Sequence, residues 1–234
     1  MQEIEKIDLT STPKLIVTKE GEFRAKSIII ACGAQPMKLG VPGEKEFVGR
    51  GVSYCAVCDG AFYKEKVVAV VGGGNAAVEE AMYLTKFADK VYVVHRRNEL
   101  RADKIVQERA FKNEKIEFVW DSVVKEIKGD TLVHTVVLEN VKTKEILNLP
   151  VNGVFPYIGM VPNVENITGQ VEQDAGGFVL TDETMKTSLD GVFAVGDIRK
   201  TPLRQVITAA SDGAVGAVYS VKYIESLKDI PQKV

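Results

Sequence analysis

A run of apolar residues that leads directly into a glycine-rich turn constrains the fold of this chain most. Residues 66–71 (KVVAVV) are typical of a buried strand, and they are followed by the sequence GGGNAA at residues 72–77. Apolar residues then recur at helical spacing up to Leu84, and residues 90–94 (KVYVV) indicate a second strand. The segment from Lys66 therefore predicts a β-α-β unit, and the chain an α/β fold.

The glycine-rich turn fits a dinucleotide-binding fingerprint. Gly72, Gly74 and Ala77 match G-x-G-x-x-A directly between strand and helix. The first glycine allows the sharp turn, the second lets the backbone approach a pyrophosphate, and the small third residue lets helix and strand pack closely. We expect Gly72, Gly74, Asn75, Ala76 and Ala77 to bind a dinucleotide, with its phosphates at the helix N-terminus. The alternative is a glycine-rich turn without a ligand.

Basic residues follow the second strand. It ends in His95-Arg96-Arg97, and Arg101 lies one turn further on. An NAD-specific site usually places Asp or Glu here, to bond the ribose 2′-hydroxyl. Guanidinium groups match phosphate oxygens instead, so these residues predict a preference for NADPH. The alternative is a solvated basic turn. His95 and His134 are expected to be surface or packing residues, and His95 could also contact the phosphate.

A second motif, Cys55-Ala56-Val57-Cys58, is a dithiol that can close into a disulfide. Asp59 follows directly, so a carboxyl group is available to carry protons during disulfide exchange. Zinc usually needs four ligands, and Cys32, His95 and His134 are not at ligand spacing, so we expect no metal site. Cys32 is expected to be a small buried core residue. Hydride transfer from a nicotinamide and the reduction of a disulfide require a cofactor that connects the two, so a flavin is implied.

The remaining segments complete a coarse map of the chain. They are a hairpin over residues 14–18 and 22–24, a fully buried strand over 27–31, a helix over 103–113, an antiparallel meander over 116–149, strands over 153–155 and 191–197, and a helix over 203–227. Asp197 ends the 191–197 strand, where it could bond a sugar-like chain. The alternative for Asp197 is an N-cap of the helix that follows.

Composition bounds the class of protein. The chain has 234 residues, of which 45% are hydrophobic and 26% charged, with a net charge of −2. These values indicate a globular protein and argue against non-specific binding to nucleic acid or to anionic membranes. No apolar run approaches the ~18 residues of a membrane span. The charged N-terminus (MQEIEK) differs from a signal peptide, so the expected location is the cytoplasm.

Taken together, these motifs resemble those of the low-molecular-weight thioredoxin reductases. The matching stretches are Ile30 to Ala34, Cys55 to Gly60, Gly72 to Ala81, His95 to Ala102, Tyr157 to Asn163, and Gly191 to Ala217. They occur in the family's order and span nearly the whole chain.

The resemblance implies an enzyme that transfers hydride from NADPH through FAD to the Cys55–Cys58 disulfide and on to thioredoxin. It implies that Cys58 faces the flavin, that Cys55 attacks thioredoxin, and that Asp59 is the acid–base group. The residues implied in FAD binding are Ala31, Gly33, Gly196, Asp197 (on the ribityl chain), Arg204, Gln205 and Val206. Family members are commonly homodimers, and one domain rotates against the other about hinges expected near 37–40 and 159–162.

The implied fold has two Rossmann-like, three-layer nucleotide-binding domains. Residues 38–160 would form the NADPH domain that carries the dithiol, and residues 1–37 and 161–234 the FAD domain. Family members begin with a G-x-G-x-x-G loop for FAD, whereas Gly21 is the only glycine before residue 33 here. We therefore expect an FAD domain incomplete at its N-terminus, which holds FAD poorly and lacks reductase activity. Cys32 also stands where Thr is common.

Two alternatives stay open. The flavoprotein subunit of alkyl hydroperoxide reductase resembles the same core, with thioredoxin-like domains upstream. An inactive NADP-binding fragment is the non-enzyme alternative. A ferredoxin-dependent relative is disfavoured because it would make the nucleotide fingerprint and the arginines superfluous.

Overall fold

A computed structural model describes residues 3–227, and the contacts within the chain divide it into two compact units. The central unit is Pro36–Gly159. The split unit is formed by the described parts of Met1–Gln35 and Met160–Val234. The assignment of these units to nucleotide and flavin binding stays a prediction.

The elements follow one another with short connections. The strands are β1 (Ile4–Asp8), β2 (Lys14–Thr18), β3 (Gly21–Ala25), β4 (Ile28–Ile30), β5 (Ala34–Pro36), β6 (Val67–Val71), β7 (Lys90–Val94), β8 (Ile116–Val119), β9 (Ser122–Gly129), β10 (Val133–Asn140), β11 (Ile146–Pro150), β12 (Gly153–Pro156), β13 (Met160–Pro162) and β14 (Val192–Ala194). The helices are α1 (Ala56–Asp59), α2 (Asn75–Leu84), α3 (Lys104–Phe111) and α4 (Val206–Ser226), with 3-10 turns at Gly60–Tyr63 and Gly196–Ile198.

A four-stranded parallel sheet forms the middle of the central unit, in the order β12-β6-β7-β8. Alternate residues of β6 serve opposite faces: Val68 and Val70 pack with the α2 side chains, whereas Ala69 and Val71 pack with the β9–β11 meander. Both faces are thus covered, which explains why β6 has a continuous apolar sequence rather than an alternating one.

The predicted β-α-β unit is confirmed, because β6, α2 and β7 follow one another and the two strands pair in parallel. The prediction of an antiparallel meander over 116–149 is wrong for its first strand. β8 pairs in parallel with β7 and extends the central sheet through the α3 crossover. Only β9, β10 and β11 form the antiparallel meander.

The split unit contains the antiparallel sheet β1-β2-β3, whose β2–β3 hairpin was predicted and whose β1 was not. β4 pairs in parallel with β14, and Leu9, Ile30, Val179 and Ile198 contribute to the core beside them. Among residues 3–227, no helix combines the length and the apolar character that a bilayer span requires.

Two predictions in this unit are wrong. The 27–31 strand is not fully buried, since Ile29 is 39% exposed and β4 pairs with β14 alone within the described part of the chain. Cys32 is not a core residue either. It lies beyond the end of β4 in an irregular segment, where its thiol is free and exposed.

Candidate active site

Cys55 and Cys58 are joined in a disulfide around the short helix α1. The two sulfurs are 2.07 Å apart and the Cα atoms 5.2 Å apart. Cys55 is the N-cap of α1, and its Sγ accepts a hydrogen bond from the Cys58 N–H at 3.1 Å. Cys55 is half-buried, whereas Val57 and Cys58 are exposed. The predicted dithiol is therefore a closed disulfide on an accessible turn.

Ser53 holds the carboxyl group of Asp59, the last residue of α1. The Ser53 Oγ donates to Asp59 Oδ2 at 2.6 Å and accepts the Cys55 N–H at 3.2 Å. Ser53 is buried. Sequence reasoning found Asp59 and missed Ser53, although a serine two residues before a turn residue commonly accepts its N–H. The structure thus links the Asp59 carboxyl group to the backbone of Cys55 through one hydroxyl group.

Tyr157 supports the same turn from the end of β12. Its Oη accepts the Ala56 N–H at 2.7 Å, across 101 residues of sequence. Burial raises the pKa of Tyr157 to about 12, and the negative charges of Glu80 and Asp59 act in the same direction. Burial, together with the charge of Glu79, also raises the pKa of Glu80. The turn is therefore backed by a neutral phenol beside a half-buried carboxyl group.

The predicted glycine loop lies on a cleft of about 410 Å³ in the central unit. Gly72 has φ +153°, and a Cβ there would overlap the Tyr157 carbonyl, while a Cβ on Gly73 would overlap the His95 ring. Around Gly74, by contrast, nothing lies within 4 Å of where a Cβ would be. Two of the glycines are thus required by packing, and the third borders open space.

The start of α2 fits an anionic ligand. Gly74 is the N-cap of α2 and supplies no side-chain acceptor to the first turn. Free N–H groups at a helix N-terminus favour phosphate oxygens. Asn75 is engaged within the protein, since its Nδ2 donates to Asp103 Oδ2 at 2.8 Å and its Oδ1 accepts the Asp103 N–H at 2.7 Å. These bonds join the start of α2 to the start of α3.

The basic residues divide into two sets. Arg96 and Arg101 line the cleft, and the Arg101 N–H donates to the Gly73 carbonyl at 2.7 Å. Arg97 is exposed and is not among the residues that line the cleft. His95 is buried, with an Nε2 that has no hydrogen-bond partner in the described part of the chain. Burial, and then the charges of Arg101, Arg96 and Arg97, lower the pKa of His95. His95 therefore supports the loop as a neutral ring.

The residues expected to hold a flavin lie in the split unit. Gly196 has φ +73° and its N–H donates to Asp212 Oδ2 at 3.1 Å, a contact that sequence reasoning missed. Asp197 does not cap α4, so that alternative is wrong: the N-cap is Gln205, bonded reciprocally to Thr208. Arg204 stacks on Phe178 at 4.3 Å, and its buried Nε has no partner within residues 3–227.

The residues of the split unit fit a polar ligand. The unpartnered Nε of Arg204 offers a donor, the half-buried Asp197 offers an acceptor, and Val206 is 87% exposed. Ala31 and Gly33, which has φ +68°, lie just after β4. A hydroxyl chain bearing a flat ring needs donors, acceptors and apolar surface of this kind.

Comparisons of the sequence with known proteins all point to the same family. A family model for pyridine nucleotide-disulphide oxidoreductases matches residues 1–213. Thioredoxin reductase of Peptoclostridium litorale is 50% identical over 233 residues, which cover 97% of this chain and 74% of that protein. Thioredoxin reductase of Bacillus subtilis (strain 168) is 48% identical over 217 residues, which cover 92% and 69%.

A solved structure agrees with these relatives. The crystal structure of thioredoxin reductase from Streptococcus pyogenes matches with a TM-score of 0.89 at 49% identity. The match covers 96% of this chain and 74% of that one. The chain therefore spans about three quarters of the length of that protein.

Proposed function

The chain belongs to the low-molecular-weight thioredoxin reductases of the pyridine nucleotide-disulphide oxidoreductase family, and we propose that NADPH reduces its Cys55–Cys58 disulfide through FAD. The resulting dithiol then reduces the disulfide of thioredoxin. We further propose that the protein is a homodimer, as the resemblance implied, and that it works in the cytoplasm, as the sequence features predicted.

One observation carries this proposal. A closed disulfide on an accessible turn shares the central unit with a cleft that is bordered by a glycine loop and by Arg96 and Arg101. A structural disulfide would need no nucleotide cleft, and a simple nucleotide-binding module would need no exposed disulfide. The combination favours transfer of electrons from a nicotinamide to the paired sulfurs.

We assign the nucleotide to the cleft of the central unit. Its phosphates would lie at the start of α2, where Gly74 leaves space and the first N–H groups are free of side-chain caps. Arg96 and Arg101 would bind the 2′-phosphate, whose presence distinguishes NADPH from NADH. Gly72 and Ala77 would serve by letting the loop approach the helix closely.

A bound flavin supplies two-electron transfer between the nicotinamide and the disulfide. The residues that would hold it are Ala31, Gly33, Gly196, Asp197, Arg204, Gln205 and Val206, all in the split unit. Of these, the unpartnered Arg204 Nε is the donor most clearly left for a ligand.

The thiol chemistry belongs to the central unit. We propose that the Cys55 thiolate attacks one sulfur of thioredoxin's disulfide, so that the S–S bond breaks and a mixed disulfide forms. Cys58 then attacks the Cys55 sulfur, which restores the Cys55–Cys58 disulfide and releases thioredoxin as a dithiol. Asp59, bonded to Ser53, would accept the protons of the attacking thiols and give them to the leaving sulfurs.

The test measures NADPH oxidation that depends on oxidised thioredoxin. FAD is added in excess so that the flavin site is saturated, and the absorption spectrum of the purified chain is recorded before and after addition. The sequence predicts no activity for the chain without added FAD. At saturating FAD we expect turnover that is abolished in Cys55→Ser and Cys58→Ser and retained in Arg109→Ala, a surface change on α3. Nucleotide binding without any turnover at saturating FAD would favour the inactive-fragment alternative instead. Electron transfer to the thioredoxin-like domain of a peroxide-reducing system, but not to thioredoxin, would favour the flavoprotein subunit of alkyl hydroperoxide reductase.

A further inference from the structure

Ser53 makes contacts on both sides of the dithiol turn. Its own N–H donates to the Val154 carbonyl at 3.1 Å, which anchors the residue to β12. Its Oγ donates to Asp59 Oδ2 at 2.6 Å and accepts the Cys55 N–H at 3.2 Å. One hydroxyl group therefore joins the acid–base carboxyl to the backbone of the cysteine that we propose as nucleophile.

The carboxyl group of Asp59 depends on this hydroxyl. Within residues 3–227, Asp59 makes no salt bridge, and Ser53 is the side chain that hydrogen-bonds its carboxylate. The 2.6 Å separation is typical of a hydroxyl that donates to an ionised carboxylate. Ser53 itself is only 5% exposed, so its hydroxyl group is held in place by the surrounding chain.

Asp59 also has access to solvent. A second cleft, of about 360 Å³, is lined by Ser53, Asp59, Tyr63, Lys66 and Asn152 among others. A carboxyl group on the wall of an open cleft can exchange protons with water between turnovers. The same group must nevertheless point at the sulfurs during each exchange, and an unrestrained side chain would sample other rotamers.

We propose that Ser53 is a positioning residue for disulfide exchange, which rests on the function proposed above. Ser53 fixes the Asp59 carboxyl where it takes the proton of the attacking thiol and returns it to the leaving sulfur. In this step the S–S bond of the substrate breaks and a bond from Cys55 Sγ to one substrate sulfur forms. The other substrate sulfur leaves with the electron pair and receives the proton from Asp59.

The leaving group offers a discriminating test. An alkyl thiolate is a poor leaving group and gains from a proton at the transition state, whereas an aromatic thiolate of low pKa leaves readily without one. A residue that acts by positioning a proton donor should therefore matter for dialkyl disulfides and hardly matter for aromatic disulfides. A residue that merely maintains the turn should matter equally for both.

The experiment uses the full chain carrying Cys32→Ser, because the exposed Cys32 thiol would itself react with the disulfides. The chain is reduced chemically and freed of reductant, so that neither NADPH nor flavin is required. Exchange is followed in single turnovers with hydroxyethyl disulfide, with an aromatic nitrobenzoate disulfide and with oxidised thioredoxin. We expect Ser53→Ala to slow exchange with hydroxyethyl disulfide roughly 10- to 100-fold while leaving the aromatic disulfide nearly unaffected. Ser53→Thr, which keeps the hydroxyl, should restore most of the rate.

Two further variants complete the design. Asp59→Asn should show the same substrate dependence, and the double variant should be no slower than Asp59→Asn because Ser53 acts through Asp59. Thr187→Val is the matched control, since Thr187 is a buried hydroxyl of the split unit that donates to the Val192 carbonyl at 2.9 Å. It should leave both rates unchanged.

Several outcomes would overturn the inference. Equal slowing of both small disulfides by Ser53→Ala would show a structural role, as would additive effects of the two substitutions. Unchanged rates in Ser53→Ala would show no role at all. Ser53-dependent exchange with hydroxyethyl disulfide, but none with thioredoxin, would support the role of Ser53 and count against thioredoxin as the partner.

Discussion

The phenol oxygen of Tyr157 accepts a hydrogen bond from the backbone N–H of Ala56 at 2.7 Å. Ala56 is fully buried between the two cysteines, and Tyr157 follows β12, so the bond ties the disulfide turn to the central sheet. The Tyr157 N–H donates to the Val71 carbonyl at 2.8 Å, immediately before the glycine loop. Tyr157 thus hydrogen-bonds both to the disulfide turn and to the end of β6, which leads into the glycine loop of the cleft.

Removing this phenol should weaken the central unit. Tyr157→Phe leaves the buried Ala56 N–H without its acceptor, and we expect a loss of about 1–3 kcal/mol in the free energy of unfolding at neutral pH, measured with urea. Tyr83→Phe, on α2, is the control. Equal stability of Tyr157→Phe and the unchanged chain would contradict this.

The same substitution has a defined pH dependence. Burial raises the pKa of Tyr157 from 10.0 to about 12, so its contribution is fully present below pH 10 and is lost as the pH rises toward 12. The stability difference between the chain and Tyr157→Phe should therefore shrink across this interval. An ultraviolet titration of tyrosinate, compared between the two proteins, would detect the group directly.

The three consecutive glycines should respond differently to alanine. Gly73→Ala would overlap the His95 ring and Gly72→Ala would overlap the Tyr157 carbonyl, so both should lower the melting temperature. Gly74→Ala meets open space and should leave the melting temperature nearly unchanged. It should nonetheless weaken NADPH binding, measured by calorimetry, because its methyl group would occupy the approach of the pyrophosphate. Unaltered affinity in Gly74→Ala would argue against that location of the phosphates.

The arginines should separate NADPH from NADH. Arg96→Ala and Arg101→Ala remove charge-assisted hydrogen bonds to the 2′-phosphate, and each should weaken NADPH binding roughly 10- to 100-fold with little effect on NADH. Arg97→Ala should have the smaller effect, since Arg97 does not line the cleft. Arg109→Ala is the control outside the cleft. Equal losses for both nucleotides would refute the assignment of the 2′-phosphate.

His95 should make the chain sensitive to mild acid. Its pKa is lowered from 6.5 by burial first and then by the neighbouring arginines. Below pH 6.5 the unfolded chain therefore binds a proton at His95 more readily than the folded chain does. The contribution of His95 to the free energy of unfolding is thus present above pH 6.5 and is lost as the pH decreases below it. Proton resonances of the imidazole should titrate below that value. His134→Asn, at an exposed position, should leave the acid sensitivity unchanged.

A thiol titration should distinguish the three cysteines. In the oxidised native chain, Cys32 is the free and exposed cysteine, whereas Cys55 and Cys58 form the disulfide. We expect one thiol to react rapidly with an aromatic disulfide reagent, and Cys32→Ser to eliminate that reaction. No rapid reaction in the native chain would mean that Cys32 is shielded.

Local patterns predicted the parts of the fold that local forces determine. The strand, glycine turn and helix over residues 66–84 follow from apolar periodicity and from the φ values that only glycine adopts readily. The direction of β8 could not be obtained in this way. Its four residues resemble those of a meander strand, and its parallel pairing with β7 depends on the crossover through α3, which its own residues do not encode.

The candidate site also has residues that local sequence predicts and residues that only the folded chain reveals. The cysteines, Asp59 and Arg96 are recognisable from spacing alone, because their chemistry is encoded within a few residues. Tyr157 is not, since it reaches Ala56 across 101 residues and only the folded sheet brings them together. The prediction for Cys32 is wrong because the apolar run continues to Ala31 whereas the strand ends at Ile30, so Cys32 lies outside the strand.

Besides forming the disulfide, the Cys55 sulfur caps the N-terminus of α1, where it accepts a hydrogen bond from the Cys58 N–H. Cleaving the S–S bond does not remove this sulfur acceptor. A thiolate sulfur carries more negative charge than a disulfide sulfur and therefore attracts the Cys58 N–H more strongly. We therefore expect the turn to keep this hydrogen bond each time the disulfide opens and closes.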